Sequence, residues 1–568
     1  MSSLLACATP PASAPRPAPA TSSPPRLAPG PAPAAHAAGV PVPPAPAPAS
    51  PAQSVQSAPY GPAVAARFPD PAVDWSTPAF APGHPGYTSN EELRSALHGL
   101  VHEGGGGTTI KLLALGSSQR GVPLEALLYT RLADTDPAAL VRSGRPTVLL
   151  VGQQHGDEPA GAEALLVVAQ QLAQGRLAPL LDRINVLVLP RANPDGARDQ
   201  RRVTASGIDA NRDHLLLKTP EAQAQAQLAR DYRPMVVVDS HEYTVVGRYL
   251  EKFGAIQRFD ALVQYAMTPN LPEFITKASE EWFRRPLLAR LKQEGLTSEW
   301  YYTTSADIAD KKVSMGGVRP DTGRNVNGLK NAISFLVETR GVGIGRMHLQ
   351  RRVFTQVTAI GSLLQSTAER AGDLAKLRGF VDNEVSAKAC QGDEVVDAAA
   401  TPSEYGLLML DPQTGADKLV NVAWDSALEL RPLKQRARPC GYWLSADQSD
   451  AVRHLRGLGV IVQQLDELGE MRGEIYQETA RESGVRSDVR GSIAGGEVLR
   501  LQVQVSPALL DTQAGSYYVP LDQPLANLVI AALEPDTQDS YVANGILSSV
   551  GAEARVMSPP SVKMTPLP

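Results

Sequence analysis

The sequence predicts an α/β fold: a mixed, mostly parallel sheet flanked by helices, followed by a smaller carboxy-terminal region that is β-rich or α+β. Three observations predict it. Through the middle of the chain, strand-like apolar runs alternate with helical stretches, the pattern of a sheet with crossover helices. Four of those runs end on polar residues able to do chemistry: Pro146–Gly152 leads to His155-Gly-Asp-Glu158, and Ile184–Leu189 to Asn193-Pro-Asp-Gly196 and Arg202. Met235–Asp239 leads to His241, and Ile333–Val337 to Glu338. Sites in α/β proteins lie at the carboxyl ends of sheet strands. Past about residue 380 the texture changes to short β-like runs.

In chain order, Thr88 to His102 reads as a helix. Thr108 to Arg131 alternates apolar and polar residues around the break Gly121-Val-Pro and reads as a β-hairpin. A strand at 146–152, a helix at 158–174 and a strand at 184–190 follow, then a loop rich in Arg, Asp and Gly. A helix at 219–230 and a strand at 235–240 come next. Residues 255–295 read as mostly helical, 332–338 as a strand, and Arg346 to Arg378 as one long helix. Beyond, Tyr405–Leu410, Leu499–Val505 and Leu525–Leu533 read as strands and Asp447–Leu458 as a helix. Tyr517-Tyr518 reads as core. The expected division is a leader and linker over 1–66, a catalytic domain over 67–378 and a carboxy-terminal domain over 379–568.

Composition narrows the function. A chain of 568 residues has ample length for a buried core. Its net charge of −5 gives no electrostatic case for nucleic acid. No run of eighteen apolar residues suggests a transmembrane helix. Three cysteines exclude a disulfide-dense scaffold and a cysteine-based zinc cluster. Cys390 and Cys440 would pair in an oxidising compartment or stay as two buried thiols; both readings are open.

The first 50 residues hold 15 of the 48 prolines, with alanine and serine making up most of the rest. Such a segment cannot bury enough apolar surface to offset its ordering entropy and is expected to be an extended tether. Tethers of this kind are common in exported bacterial proteins, so export to the periplasm, envelope or exterior is expected. Leu4-Leu5-Ala6-Cys7 resembles the tail of a lipoprotein signal, with Cys7 as the lipid-anchored residue, although the charged start and long apolar stretch are missing. A lipid anchor and a chance match both stay open.

His155 and Glu158 are spaced so that one loop or first helical turn can aim an imidazole and a carboxylate at one point. That suits zinc, and Glu158 would equally suit a helix start. His241 is the natural third ligand, with His214 as a spare. Two histidines and a carboxylate with an open position form a recurrent catalytic zinc set. Asp239 and Glu242 are candidates for orienting an imidazole. The segment from Arg191 to Arg212 is unusually cationic, and its guanidiniums suit carboxylates or a developing oxyanion. Glu338 ends a buried-type run, where an unpaired charge is costly. It reads as a salt-bridge partner of Arg340 or as a general base.

Together these motifs resemble the zinc metallocarboxypeptidase family: His-x-x-Glu, Asn-Pro-Asp-Gly, an arginine before Asp-x-Asn-Arg, a ligand histidine and a strand-end glutamate, over residues 85 to 345. The resemblance implies a carboxypeptidase-like α/β fold and one Zn2+ ion held by His155, Glu158 and His241. It implies Glu338 as general base and proton shuttle, and Arg202, five residues before Gly207, as the group polarising the scissile carbonyl. Asn211 and Arg212 would hold a substrate carboxylate, with Arg324 bordering the site. A peptide or peptide-like substrate is implied as well. One part of the pattern departs. Family members usually carry a substrate-side tyrosine some twenty residues before the catalytic glutamate. Here Val313 to Gly328 has none and carries Arg319, Arg324 and Asn325 instead; Tyr301 and Tyr302 stand at the wrong spacing. A zinc amidase or deacylase acting on cell-wall peptides or N-acyl amino acids is therefore the alternative, and a non-catalytic binding protein on the same scaffold the third reading.

Overall fold

The computed structural model describes residues 59–102 and 107–568. Cys7 and the proline-rich leader lie outside them. Among the described residues no helix is long and apolar enough to cross a membrane.

The principal sheet has eight strands: β1 (Thr109–Ser117), β2 (Pro123–Thr130), β3 (Thr147–Gly152), β4 (Asn185–Leu189), β5 (Val236–Thr244), β6 (Ala261–Tyr265), β7 (Ser298–Trp300) and β8 (Ile333–Val342). Their spatial order is β1-β2-β4-β3-β5-β8-β6-β7. The centre is parallel: β4, β3, β5 and β8 run the same way. The β1–β2 hairpin joins antiparallel at one side and β6 antiparallel at the other. The central strands read as continuous apolar runs because both faces are covered. Val148, Leu150, Val186, Val188, Val236 and Val238 face one core; Leu149, Val151, Leu187, Leu189 and Val237 face the other. The helix Ala160–Ala173 packs on the first face. Leu228 and Tyr232, from the helix Pro220–Tyr232, contribute to the second.

The structure corrects several sequence assignments. Residues 255–295 are helical only in their second half, from Glu273 to Gln293. Their first half holds the short strand Ile256–Gln257 and then β6, a buried strand of the main sheet. The expected long helix is two, Leu349–Glu369 and Ala371–Ala387, separated at Arg370 with φ −98° and ψ 13°. Leu525–Leu533 is not a strand: Ala526–Leu533 is a helix, buried on nearly all sides. A residue set that is apolar all round carries no period to tell helix from strand.

Two long hairpins dominate the later chain. The first, Asp393–Leu410 with Asp417–Ala437, pairs with Ile256–Gln257 on one side and Val313–Met315 on the other. The second, Gly469–Asp488 with Gly491–Thr512, belongs to a seven-stranded sheet. A disulfide joins Cys390 to Cys440.

Candidate active site

The site is built after the end of β3 and within the second halves of β5 and β8. After β3 the chain turns at Gln153, which has φ 47°, and passes very close to the Asn193-Pro-Asp-Gly196 segment. A Cβ on Gly156 would fall 1.9 Å from the carbonyl carbon of Gly196, so only glycine fits there. Asn193 caps the next helix by accepting from the Gly196 amide at 2.9 Å. Arg191 donates to Gln153 Oε1 at 2.7 Å and to the Thr88 carbonyl. These residues buttress the loop that presents His155.

His155, Glu158 and His241 converge, and each is at most 3% exposed. Glu158 Oε1 lies 2.8 Å from His155 Nδ1, and its Oε2 lies 2.8 Å from His241 Nδ1. The two Nδ1 atoms are 3.0 Å apart. The opposite ring nitrogens are held by carboxylates: His155 Nε2 by Asp209 at 3.1 Å and His241 Nε2 by Asp239 at 2.9 Å. A carboxylate behind each imidazole fixes its orientation and leaves Nδ1 aimed inward, as metal-binding histidines require. Burial works to raise the Glu158 carboxyl, but His155 and His241 outweigh it and hold it well below the usual range. Burial likewise opposes ionisation of Asp209, and Arg202 with His155 keeps it low. Two imidazoles and a carboxylate, with convergent buried donor atoms, suit zinc.

Asp239 thus stands where the sequence suggested, but Glu242 does not. It pairs with Arg352 at 2.7 Å and accepts from the Ala160 amide. His214 is also separate from the ligand group: it meets Gln154 Oε1 at 2.8 Å, and burial pushes it down to about 4. Asp209 was missed, although it is the first residue of the Asp-x-Asn-Arg stretch.

Glu338 stands level with His241 on the neighbouring parallel strand. It is 4% exposed, and its Oε2 has no hydrogen-bond partner among the described residues. Burial, with Glu158 adding, pushes its carboxyl up to about 7. Arg340 is not its partner: that guanidinium stacks 3.6 Å from the Phe68 ring centre and donates to the Gln257 carbonyl. Arg202 lies against the ligand group, with Nη1 3.2 Å from His155 Nδ1 and Nη2 2.8 Å from Asp209.

Asn211 is engaged on both ends of its amide. Its Nδ2 lies 3.1 Å from His241 Nε2, and its Oδ1 accepts from the Gly323 amide at 2.8 Å. Arg212 donates to Asp488 from Nε at 3.0 Å and Nη2 at 2.5 Å. Arg324, 3% exposed, starts a helix turn behind the site and donates to the Gly317 carbonyl at 2.9 Å. Tyr301 borders the same cavity as His155, Arg202 and Glu338, as do Asp488, Val489 and Arg490 from the second long hairpin. Tyr302 instead packs between Tyr249 and Trp424. Of the two tyrosines, Tyr301 is thus the one that borders this cavity.

The zinc carboxypeptidase family matches residues 107–354. Carboxypeptidase 2 of Trichophyton rubrum is 28% identical over 410 residues, which cover 70% of this chain and 74% of that protein. Carboxypeptidase 2 of Trichophyton equinum is 26% identical over 474 residues, covering 82% and 86%. Among solved structures, a metallo-carboxypeptidase from Pseudomonas aeruginosa, in complex with (2-guanidinoethylmercapto)succinic acid, overlaps 50% of this chain and 69% of its own, at 19% identity and a TM-score of 0.37. Residues 107–354, the segment that carries the convergent histidines, thus match the zinc carboxypeptidase family, and with the named relatives that extend beyond it they support a metallopeptidase of the carboxypeptidase type.

Proposed function

We propose that the protein removes the carboxy-terminal residue of a peptide, with one zinc ion held by His155, Glu158 and His241, Glu338 as general base and Arg202 as oxyanion donor. The observation that carries the reading is the convergence itself: one donor atom from each of the three residues lies within 4.8 Å of the others. Zinc bound there supplies a Lewis acid that polarises the scissile carbonyl and makes water acidic enough to ionise near pH 7.

The chain's own groups do the rest. Glu338, whose Oε2 has no hydrogen-bond partner among the described residues, accepts a proton from the attacking water and returns it to the leaving amine. Arg202 reaches over the ligand group, where one guanidinium donor to a developing oxyanion is worth about 3 kcal/mol. Asp209 and Asp239 keep both imidazoles aimed inward. The Cys390–Cys440 disulfide supports export to an oxidising compartment.

Glu338→Gln tests the assignment. The variant should bind zinc as the wild type does while kcat falls about 10²- to 10⁴-fold. Full turnover in that variant would remove Glu338 from the mechanism.

A further inference from the structure

We propose that the cleft at the amino-terminal ends of β5 and β8, where Lys330 meets Arg230 and Arg233, binds a small tetrahedral oxyanion of the phosphate class. The inference goes beyond the carboxypeptidase reading and does not depend on it. Pro234 and Ala332, which precede the two strands, line the cleft. Ile333 stands level with Val236, and Glu338 with His241. The convergent residues therefore lie about 16 Å further along both strands.

The cleft gathers cations from segments far apart in sequence. Arg230 stands in the last turn of the helix Pro220–Tyr232, and Arg233 follows that helix with φ 44°. Lys330 follows the helix Gly323–Leu329. Arg378 and Asp382 lie about one turn apart on the helix Ala371–Ala387.

These charges do not cancel. Asp382 accepts from Arg233 at 3.1 Å and stands 3.8 Å from Arg378 Nε, so one carboxylate serves two guanidiniums. Its other oxygen accepts from Asn331 at 2.8 Å. Arg378 spends Nη1 on the Lys330 carbonyl and Nη2 on the Arg233 carbonyl, which ties the two loops together. Arg230 reaches Asp231 through Nε at 2.7 Å. Three arginines and a lysine thus face two carboxylates. Both Nη groups of Arg230 and the Lys330 amine have no hydrogen-bond or ion-pair partner among the described residues.

Lys330 is 9% exposed, and a buried donor without an acceptor is costly. The helices that end beside it offer only partial negative charge, and the amine bonds to none of their carbonyls. Burial, with Arg230 adding, pushes its ammonium down to about 7. An anion beside the amine favours the charged form, so a bound oxyanion would restore the proton and supply the missing acceptor. The cavity measures about 90 Å³, room for several waters, which suits one tetrahedral ion and excludes a peptide. Arg230 and Arg233 have half-exposed side chains. A guanidinium fork and a lysine point charge are the groups that hold phosphate.

The test uses the full zinc-loaded chain and calorimetric titration at constant ionic strength in chloride. The probes are inorganic sulfate, inorganic phosphate, glycerol phosphate and acetate. Sulfate does not titrate near neutrality, so any proton taken up with it goes to the protein. At about pH 8 one sulfate should bind per chain with uptake of close to one proton, read from the heats in two buffers of different ionisation enthalpy. Lys330→Met should weaken sulfate and phosphate about 10- to 100-fold and abolish the uptake, with zinc content at the wild-type level to show an intact fold. Arg230→Gln should also weaken both ions. Acetate should bind more weakly than sulfate. Glycerol phosphate binding like phosphate supports a phosphate monoester as the occupant, and its exclusion supports the free ion. The proposal is overturned if neither sulfate nor phosphate binds at millimolar concentration. It is equally overturned if Lys330→Met binds them as the wild type does, since the ion is then held at the zinc centre or is an adventitious ion only.

Discussion

Asp239 and His241 stand two residues apart on one strand, and the carboxylate of the first meets Nε2 of the second at 2.9 Å. A strand places i and i+2 on the same face, so the spacing alone delivers the contact. It predicts that Asp239→Asn, which keeps the shape and removes the charge, lowers zinc affinity by about 10- to 100-fold. Competition with a chelator of known affinity measures this. An unchanged dissociation constant would mean that Asn211, 3.1 Å from the same nitrogen, suffices to hold the ring.

Gly156→Ala should damage the site without touching a ligand. The added methyl would overlap Gly196, so one of the two loops must move, and His155 lies next to the point of contact. Forced overpacking of this kind costs about 1–3 kcal/mol. Denaturant unfolding should register that loss, and zinc per chain should fall with it. Wild-type values for both would show that the loops separate freely.

Lys330 gives stability a pH dependence. Burial, with Arg230 adding, pushes its ammonium down to about 7, against 10.5 for a free lysine. The unfolded chain therefore binds a proton between about pH 7 and pH 10.5 that the folded chain does not, and stability from this group rises with pH across that window. Lys330→Met should be more stable than wild type at pH 7, with the difference shrinking by about 1.4 kcal/mol per pH unit toward pH 10. A difference that stays constant with pH would show that the lysine is charged in the fold.

The Cys390–Cys440 bond closes a loop with a sequence separation of 50 residues. In the chain-entropy account a loop of that length contributes about 4 kcal/mol. Replacing both cysteines by alanine should lower the unfolding free energy by roughly that amount, and reductant should bring the wild type to the same value. Insensitivity to reductant would show that the bridge does not form in solution.

The central strands and the three convergent residues His155, Glu158 and His241 were legible because burial on both faces and closeness to strands leave short-range marks. β3 and β4 are apolar runs, and the convergent residues follow β3 or lie within β5. Strand β6 was not legible, since Ala261–Tyr265 finds its partner some seventy residues later, in β8. Nor was the helix Ala526–Leu533, where burial on nearly all sides erases the period. Within the site, Asp209 lay inside a recognised stretch but had no separate signal. Asp488 and Arg490 could not be found by spacing at all. They meet residues roughly 190 to 280 positions earlier, and the turn they occupy is an ordinary polar turn until the fold puts Arg212 and Tyr301 beside it.

The first long hairpin has a bearing on heredity as well as on architecture. Val313–Met315 finds its parallel neighbour at Trp424 and Asp425, and Ile256–Gln257 pairs with Met409 and Leu410. A chain cut at 378 would present two bare strand edges, which invite pairing with other molecules. The family-matching segment is thus a poor candidate for shuffling: recombination that exchanged the residues downstream of it would leave stitches on both sides of the seam undone. The two stretches are expected to be inherited, and to accept substitutions, as one unit.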